Sequence, residues 1–240
     1  MDLHKYLSVF HEIAIYLSIP ILAIILSSIL CKILVITPNF KSIIQHFSAG
    51  VVFSALSVEL IPELYHTAFK IQLIAGFVLG TALMLFIQWL FSNKEGHHAH
   101  KSISTLLIAV GIDIFIDGLL VGISFTISVA KGLLISIALS LELLFLVLSV
   151  DVSLQKAKKK FSTIVLTNIA FALLVLLGST IGLLFVNASH STLVGVTSFA
   201  AAALLYLVTE ELLKEAHEEK ENMFSTSMFF LGFLIILLLK

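Results

Sequence analysis

Two aspartates stand four residues apart within a long apolar stretch, in the run IDIFIDGLLVG that contains Asp113 and Asp117. A spacing of four places both carboxylates on the same face of a helix. Charge inside a membrane span is costly, and two neighbouring anions repel each other unless they share a proton or a cation. The pair therefore predicts a cation or proton site. A structural pair bonded to donors on adjacent helices is the alternative.

A third acid, Glu142, lies alone in the apolar run LSLELLFLVLSV. Counted from the ends of the predicted spans, the aspartates lie about ten to fourteen residues deep and Glu142 about ten, close to the middle of a bilayer. Three carboxylates at one depth on successive antiparallel helices could ligate a divalent cation through oxygen. A protonated core acid is the alternative for Glu142.

Further acids and histidines lie nearer the predicted span ends. Glu59 lies toward the outer side and Glu210 and Glu211 toward the inner side, where they are either stations on one path or interfacial acids. Asp151, beside the lysine cluster QKAKKK, is expected to be an ordinary interfacial charge. The tail KEAHEEKEN is expected to be a solvated helix extension. The loop NKEGHHAHK is either a weak metal-binding segment or a solvated loop, and its histidines are His97, His98 and His100.

The composition identifies a membrane protein. Hydrophobic residues make up 59% of the chain and charged residues 12%, and the mean hydropathy is +1.12, which no soluble domain of this length reaches. The net charge of -1 gives no indication of nucleic-acid binding. Cys31 is the single cysteine, so no intrachain disulfide is expected. We also expect no cleaved signal peptide at the N-terminus.

Eight apolar segments approach the length of about 20 residues that a helix needs to cross a bilayer. They cover 12–36, 46–66, 71–92, 103–129, 132–152, 161–186, 193–213 and 224–239. Most connections are brief, so residues 1–240 are expected to form a single all-α transmembrane transporter domain. The chain has no arginine, and most of its lysines fall on the cytoplasmic side when both termini are outside. The histidine-containing loop, about 93–102, is then cytoplasmic.

An internal repeat relates the second span to the seventh. HFSAGVVFSALSVELIPEL at 46–64 aligns without gaps with SFAAAALLYLVTEELLKEA at 198–216, and Glu59 falls on Glu211. The two spans cross the membrane in opposite directions. We therefore expect inverted repeats of helices 1–3 and 6–8, an arrangement typical of transporters whose site lies near the midplane. A chance match between two apolar helices is the alternative.

This pattern resembles the ZIP family of divalent-metal transporters in its bacterial form. Members of that family have eight spans, both termini outside and a histidine-bearing cytoplasmic loop between the third and fourth spans. The segment HFSAGVVFSALSVELIPE is similar to the family's AG…LlPE segment, and LLYLVTEELLKEAHEE is the most specific match. The resemblance covers nearly the whole chain.

The metal site implied by the resemblance departs from the family's pattern. The family's fourth span carries His-Asn/Ser-x-x-Asp/Glu-Gly, whereas this chain has Asp113 in place of the histidine, Ile114 in place of the second ligand, and Asp117 as the retained acid. Of His-Glu-x-Pro-Glu in the fifth span, only Glu142 is kept. The resemblance thus implies at most one metal site, and not a two-metal site; it has no imidazole, so it suits harder cations such as Mn or Fe(II) comparatively better.

The expected function is secondary transport of divalent metal ions of the Zn, Mn or Fe(II) class toward the cytoplasm, and the chain is not expected to be an enzyme. The expected location is the cell membrane, such as a bacterial inner membrane. The ion is the substrate, no tightly bound cofactor is expected, and the partners are the lipid bilayer and metal ions, with a homodimer as an option. Two alternatives stay open, a non-transporting ZIP-like regulator or partner subunit and a proton or monovalent-cation carrier. An intramembrane enzyme is disfavoured because no water-activating motif accompanies the carboxylates.

Overall fold

The computed structural model describes residues 3–33, 37–65, 67–92, 103–217 and 223–239, and within these ranges the chain forms helices and no strand. The α-helices, in chain order, are α1 (Leu3–Ile33), α2 (Pro38–Ala55), α3 (Ile61–Tyr65), α4 (Lys70–Ser92), α5 (Ile103–Ile127), α6 (Val129–Lys156), α7 (Phe161–Leu183), α8 (His190–Tyr206), α9 (Leu213–His217) and α10 (Met223–Leu239). Two π segments join α2 to α3 and α8 to α9, and they are Leu56–Leu60 and Leu207–Leu212. A short 3-10 helix, Leu184–Asn187, extends α7.

The helices agree with the eight predicted spans. Seven continuous helical stretches in the described residues are long and apolar enough to cross a membrane, and Met223–Leu238 is a shorter apolar helix. Large apolar side chains such as Ile71, Leu166 and Leu238 are exposed on outer helix faces, as expected where helices contact lipid. The prediction of an all-α membrane protein is therefore confirmed. The largest difference in boundaries is at α1, which begins at Leu3 and not near residue 12.

Side-chain caps determine where several helices begin. Thr37 accepts a hydrogen bond from a backbone N–H in the first turn of α2, and Pro38 follows it at a position where no backbone donor is needed. Ser128 and Ser189 accept equivalent bonds at the starts of α6 and α8. The extended backbone of Ser128 is thus what separates α5 from α6 in a stretch that is apolar on both sides.

The chain divides into two compact units. The first comprises Met1–Val35 and Ile87–Asn187, and the second comprises Ile36–Phe86 and Ala188–Lys240. In the first unit, α1 packs on α6 and α7, and α5 packs on α6 and α7. In the second unit, α2 packs on α9 and α10, and α8 contacts both α2 and α3.

Helices α5 and α7 approach so closely in the first unit that backbone contacts backbone. A methyl group added to Gly118 would lie 2.4 Å from the carbonyl oxygen of Val175, well inside van der Waals contact. Methyl groups on Gly122, Gly178 and Gly182 would meet carbonyl oxygens of the facing helix at 2.2, 2.2 and 2.5 Å. The glycines are spaced by four on both helices, the pattern that allows close helix packing. The α5 backbone that carries the two aspartates is therefore fixed against α7.

The predicted repeat is also visible in the backbone of the second unit. The sequence alignment places residues 56–60 on residues 208–212. In the structure both stretches leave α-helical geometry for π-helical geometry, with only the start of the later segment differing by one residue. The aligned copies therefore share an uncommon backbone irregularity as well as similar residues.

The pairing of helices in the second unit also agrees with the predicted repeat. The third predicted span, α4, contacts α8 where Gly76 faces the Gly195 carbonyl, so the third span packs on the seventh. The eighth span, α10, contacts α2 where Gly50 faces the Phe229 carbonyl, so the eighth packs on the second. This reciprocal pairing agrees with repeats formed by helices 1–3 and 6–8.

Candidate metal site

Asp113, Asp117 and Glu142 come together in the first unit, on α5 and α6. One carboxylate oxygen from each residue lies within 4.8 Å of those of the other two. Asp117 is 1% exposed and Glu142 is 3% exposed, whereas Asp113 is partly buried. In the part of the chain that the structure describes, no other group of three or more histidine, cysteine or acidic side chains could hold a metal ion. The structure thus brings together the three acids that the sequence analysis put first.

Local helix geometry explains this convergence. Asp113 and Asp117 are one turn apart on α5, so their side chains point along one face. Ser128 divides α5 from α6, and Asp117 and Glu142 lie at similar distances along the chain on either side of it. Two helices joined by so short a turn pack side by side in opposite directions, and this brings the acids to the same level.

Three ionised carboxylates at this spacing repel each other strongly. At 4.8 Å and an effective dielectric constant of about 20, each pair costs about 3.5 kcal/mol, so full ionisation of all three costs about 10 kcal/mol. Protons or a bound cation remove this cost. A set of oxygen ligands without nitrogen or sulfur suits hard divalent ions, including Mn²⁺.

Ile114, which stands where the resemblance implies a second ligand, has a packing role. Ile114 is completely buried and belongs to the hydrophobic core of the first unit, together with Val147 and Val175. A polar side chain at this position would enter an apolar environment formed by three helices. The site is consequently limited to the carboxylates of its neighbours on α5 and α6.

The other predicted pathway residues lie elsewhere. Glu59 is partly buried in one π segment of the second unit, and Glu211 is partly buried and Glu210 exposed in the other. None of these three belongs to the carboxylate cluster. The histidines of the predicted cytoplasmic loop, His97, His98 and His100, lie outside the described residues.

The structure corrects the interpretation of Asp151 as an interfacial charge. Its side chain is fully buried, and Oδ2 accepts hydrogen bonds from the hydroxyl of Ser27 at 2.8 Å and the amide of Asn168 at 3.0 Å. The same amide donates to the hydroxyl of Ser28 at 2.6 Å. This polar network joins α1, α6 and α7 inside the first unit. The sequence analysis missed it because its members are on three helices and no spacing rule connects them.

Comparison with known families gives a match over the C-terminal part of the chain. A family model described as ZIP zinc transporter matches residues 92–240, which is more than half of the chain and includes the whole carboxylate cluster. A comparison with curated proteins finds no match. The family is one of transporters, and the eight apolar helices are what such a protein requires. The chain therefore belongs to the ZIP family of metal-ion transporters.

Proposed function

We propose that the chain is a secondary transporter that moves divalent metal ions of the Zn, Mn or Fe(II) class across the cell membrane toward the cytoplasm. Asp113, Asp117 and Glu142 hold the ion within the membrane. The convergence of these three carboxyl groups within 4.8 Å is the observation that carries the proposal. Without imidazole, the site favours Zn²⁺ less than a histidine-containing site does, and Mn²⁺ and Fe²⁺ bind comparatively better.

Burial determines how the ion enters and what charge it meets. Partly buried Asp113 is the first carboxylate an incoming ion contacts, and Asp117 and Glu142 replace further waters of its hydration shell. Three carboxylates and one divalent ion leave one negative charge, which is costly within a membrane. One retained proton balances this charge, so metal binding and proton binding are linked at this site.

The remaining parts of the proposal concern the route of the ion. The ion binds transiently along its route to Glu59, Glu210 and Glu211. The loop with its three histidines lies in the cytoplasm. Residues 1–240 act as one transporter domain with both termini outside, in a lipid bilayer. The sequence contains no ATP-binding motif, so the gradient of the metal or of a coupled ion drives transport.

Metal influx into proteoliposomes tests this function. Zn²⁺, Mn²⁺, Fe²⁺, Cd²⁺ and Co²⁺ are supplied separately to wild-type protein and to the variants Asp117→Asn and Glu142→Gln. Ser140→Ala is the matched control, because Ser140 is a buried polar residue on α6 close to Glu142 and its hydroxyl donates to the carbonyl oxygen of Ser136 on the same helix. We expect saturable uptake of at least one ion, lost in both carboxylate variants and kept in the control.

Two other results would favour the alternatives. No uptake above that of empty liposomes, with correctly inserted protein, would favour a non-transporting ZIP-like regulator or partner subunit. Proton or monovalent-cation flux through the same acids without divalent transport would favour a carrier of those ions. Equal uptake by wild type and both carboxylate variants would contradict the assigned site directly.

A further inference from the structure

The buried network around Asp151 contains more oxygen atoms than its hydrogens can satisfy. The side chain of Asp151 is fully buried, and both partners of its Oδ2 atom, the hydroxyl of Ser27 and the amide of Asn168, are neutral groups. Its Oδ1 atom is buried and has no hydrogen-bond partner among the described residues, and the same holds for Oδ1 of Asn168. Buried polar atoms without a partner are uncommon, and a bound ion is one explanation for them.

A count of hydrogens shows the shortage directly. Four oxygen atoms surround Nδ2 of Asn168, at 2.6 Å (Ser28), 3.0 Å (Asp151), 3.1 Å (Ser27) and 3.5 Å (the carbonyl of Ile24). An amide nitrogen has only two hydrogens. The Ser27 hydroxyl has a single hydrogen and two acceptors, the Ile24 carbonyl at 2.7 Å and Asp151 at 2.8 Å. Hydrogen bonds alone therefore leave part of this group, the Asp151 cluster of Ser27, Ser28, Asp151 and Asn168, unsatisfied.

The chemistry of the Asp151 cluster favours a monovalent cation. Its ligand atoms are the oxygens of a carboxylate, two hydroxyls and an amide, and oxygen ligands suit hard cations. One carboxylate with one monovalent ion is electrically neutral. A divalent ion would instead leave a positive charge among apolar helices, which is costly within a membrane.

The lysines at this end of α6 do not take the place of such an ion. The four lysines of the segment QKAKKK are exposed. The ammonium group of Lys32, at the end of α1, lies 3.3 Å from the ring centroid of Phe161. Dissolved ions screen charges that are in contact with solvent. The buried carboxylate of Asp151 therefore requires a closer positive partner or a proton.

The packing of α1 and α7 leaves space beside the cluster. A cavity of about 200 Å³ is lined by Ser28 and Asn168 and by apolar side chains, which include Phe161, the first residue of α7. Ser28 and Asp151 are each little more than one turn from the ends of their helices, Ile33 and Lys156. The cluster is thus shallow, and a small ion can reach it from the end of the spans.

We propose that the Asp151 cluster binds a monovalent cation such as Na⁺. Asp151 supplies the charge, and Ser27, Ser28 and Oδ1 of Asn168 supply further oxygen ligands. A half-turn of the Asn168 amide exchanges its nitrogen and oxygen, which brings Oδ1 to the two hydroxyls and the carboxylate. The ligands come from α1, α6 and α7, so the ion links three helices of the first unit. This binding does not depend on the proposed transport of divalent ions, whose ligands are on α5 and α6.

The thermal stability of the full chain in detergent, without divalent metal, tests the site. The apparent Tm is compared in NaCl and in choline chloride at equal ionic strength, because choline is too large for the cluster. The test variants are Asp151→Asn, which removes the charge and keeps the shape, and Ser27→Ala. Ser153→Ala is the matched control, since the hydroxyl of Ser153 donates to the carbonyl oxygen of Ser149 on the same helix, α6. Asp117→Asn separates this site from the carboxylate cluster of α5 and α6.

At a Na⁺ concentration of about ten times the dissociation constant, we expect the wild type to gain about 3–6 °C in apparent Tm over choline. Asp151→Asn should show no gain. Ser27→Ala should need an about fivefold higher Na⁺ concentration for half of the effect, because it lacks one neutral ligand. Ser153→Ala and Asp117→Asn should keep the full gain.

Three results would overturn the proposal. Equal Tm values for the wild type in Na⁺ and choline would leave a protonated Asp151. An equal gain in wild type and Asp151→Asn would assign the effect to another part of the protein, and loss of the gain in Asp117→Asn alone would assign it to the carboxylate cluster. Should Asp151→Asn fail to fold, an unchanged Na⁺ requirement in Ser27→Ala would also refute the site.

The outcome is independent of metal transport. A Na⁺ response lost in Asp151→Asn, together with no metal uptake into liposomes, would refute transport and support the Na⁺ site. Metal uptake by a protein whose Tm does not respond to Na⁺ would refute the Na⁺ site alone.

Discussion

The glycine contacts between α5 and α7 predict that Gly118→Ala destabilises the protein. The added methyl group would lie 2.4 Å from the carbonyl oxygen of Val175 and 2.9 Å from its Cα atom, both of them backbone atoms. Ordinary carbon–oxygen contact requires about 3.4 Å, so the two helices must separate locally by about 1 Å. Overpacking of this kind costs about 1–3 kcal/mol. For a chain of this length, that corresponds to a fall in apparent Tm of about 2–12 °C.

The same displacement acts on the metal site, because Asp117 is the preceding residue. Metal–ligand distances tolerate changes of only about 0.2 Å, so a shift of the α5 backbone moves one carboxylate away from its partners. We expect affinity for the transported ion to fall about 10- to 100-fold, the range found when groups that orient metal ligands are changed. Stability and metal affinity should therefore decrease together.

Gly111→Ala is the matched control on the same helix face. A methyl group there would meet only side-chain atoms of Leu174 and Phe171, at 3.3 and 3.8 Å, and the leucine can move. The apparent Tm is measured in detergent, from the protein that remains in the size-exclusion peak after samples are heated. Uptake into proteoliposomes gives the transport activity. If Gly118→Ala matched both wild type and Gly111→Ala in stability and uptake, the reasoning from backbone contact would be refuted.

Three further predictions concern other parts of the molecule. Asp113→His should raise Zn²⁺ uptake relative to Mn²⁺ in competition assays, because it supplies a nitrogen ligand; an unchanged ratio would contradict the role of Asp113. Asn168→Leu should lower the apparent Tm by removing a donor to buried Asp151, at a cost of about 1–3 kcal/mol, and the double variant with Asp151→Leu should recover part of that loss. Gly76→Ala should destabilise the protein, since its methyl group would lie 2.0 Å from the Gly195 carbonyl oxygen, whereas Gly195→Ala meets its nearest atom at 3.5 Å and should be nearly neutral. Equal Tm values for these two variants would argue against the packing of α4 on α8.

The helices and the carboxylate cluster could be predicted because their causes are local. Apolar length defines the spans, and helical periodicity together with depth places Asp113, Asp117 and Glu142 at one level. These properties depend on positions along the chain, and they require no knowledge of which helices are neighbours.

The Asp151 network and the contact between the rings of His46 and His217 could not be predicted in this way. Asp151 follows an apolar run and precedes four lysines, so its surroundings in sequence are those of a span end. Its burial depends on α1 and α7, which supply the donors Ser27 and Asn168. His217 belongs to a charged tail that was interpreted as a solvated extension. Its contact with His46 arises only when α9 packs on α2. In both cases the deciding neighbours lie on other helices.

The two π segments determine the direction in which the side chains of the following short helices point. A π turn holds one residue more than an α turn, and each additional residue rotates the following helix by about 100° around its axis. Loss of a single residue from Leu56–Leu60 would therefore turn α3, with Glu63, to a different side. The aligned segment Leu207–Leu212 has the same irregularity in the other copy. A deletion of one residue in either segment would therefore reorient the charged side chains that follow it, Glu63 on α3 and Lys214 on α9.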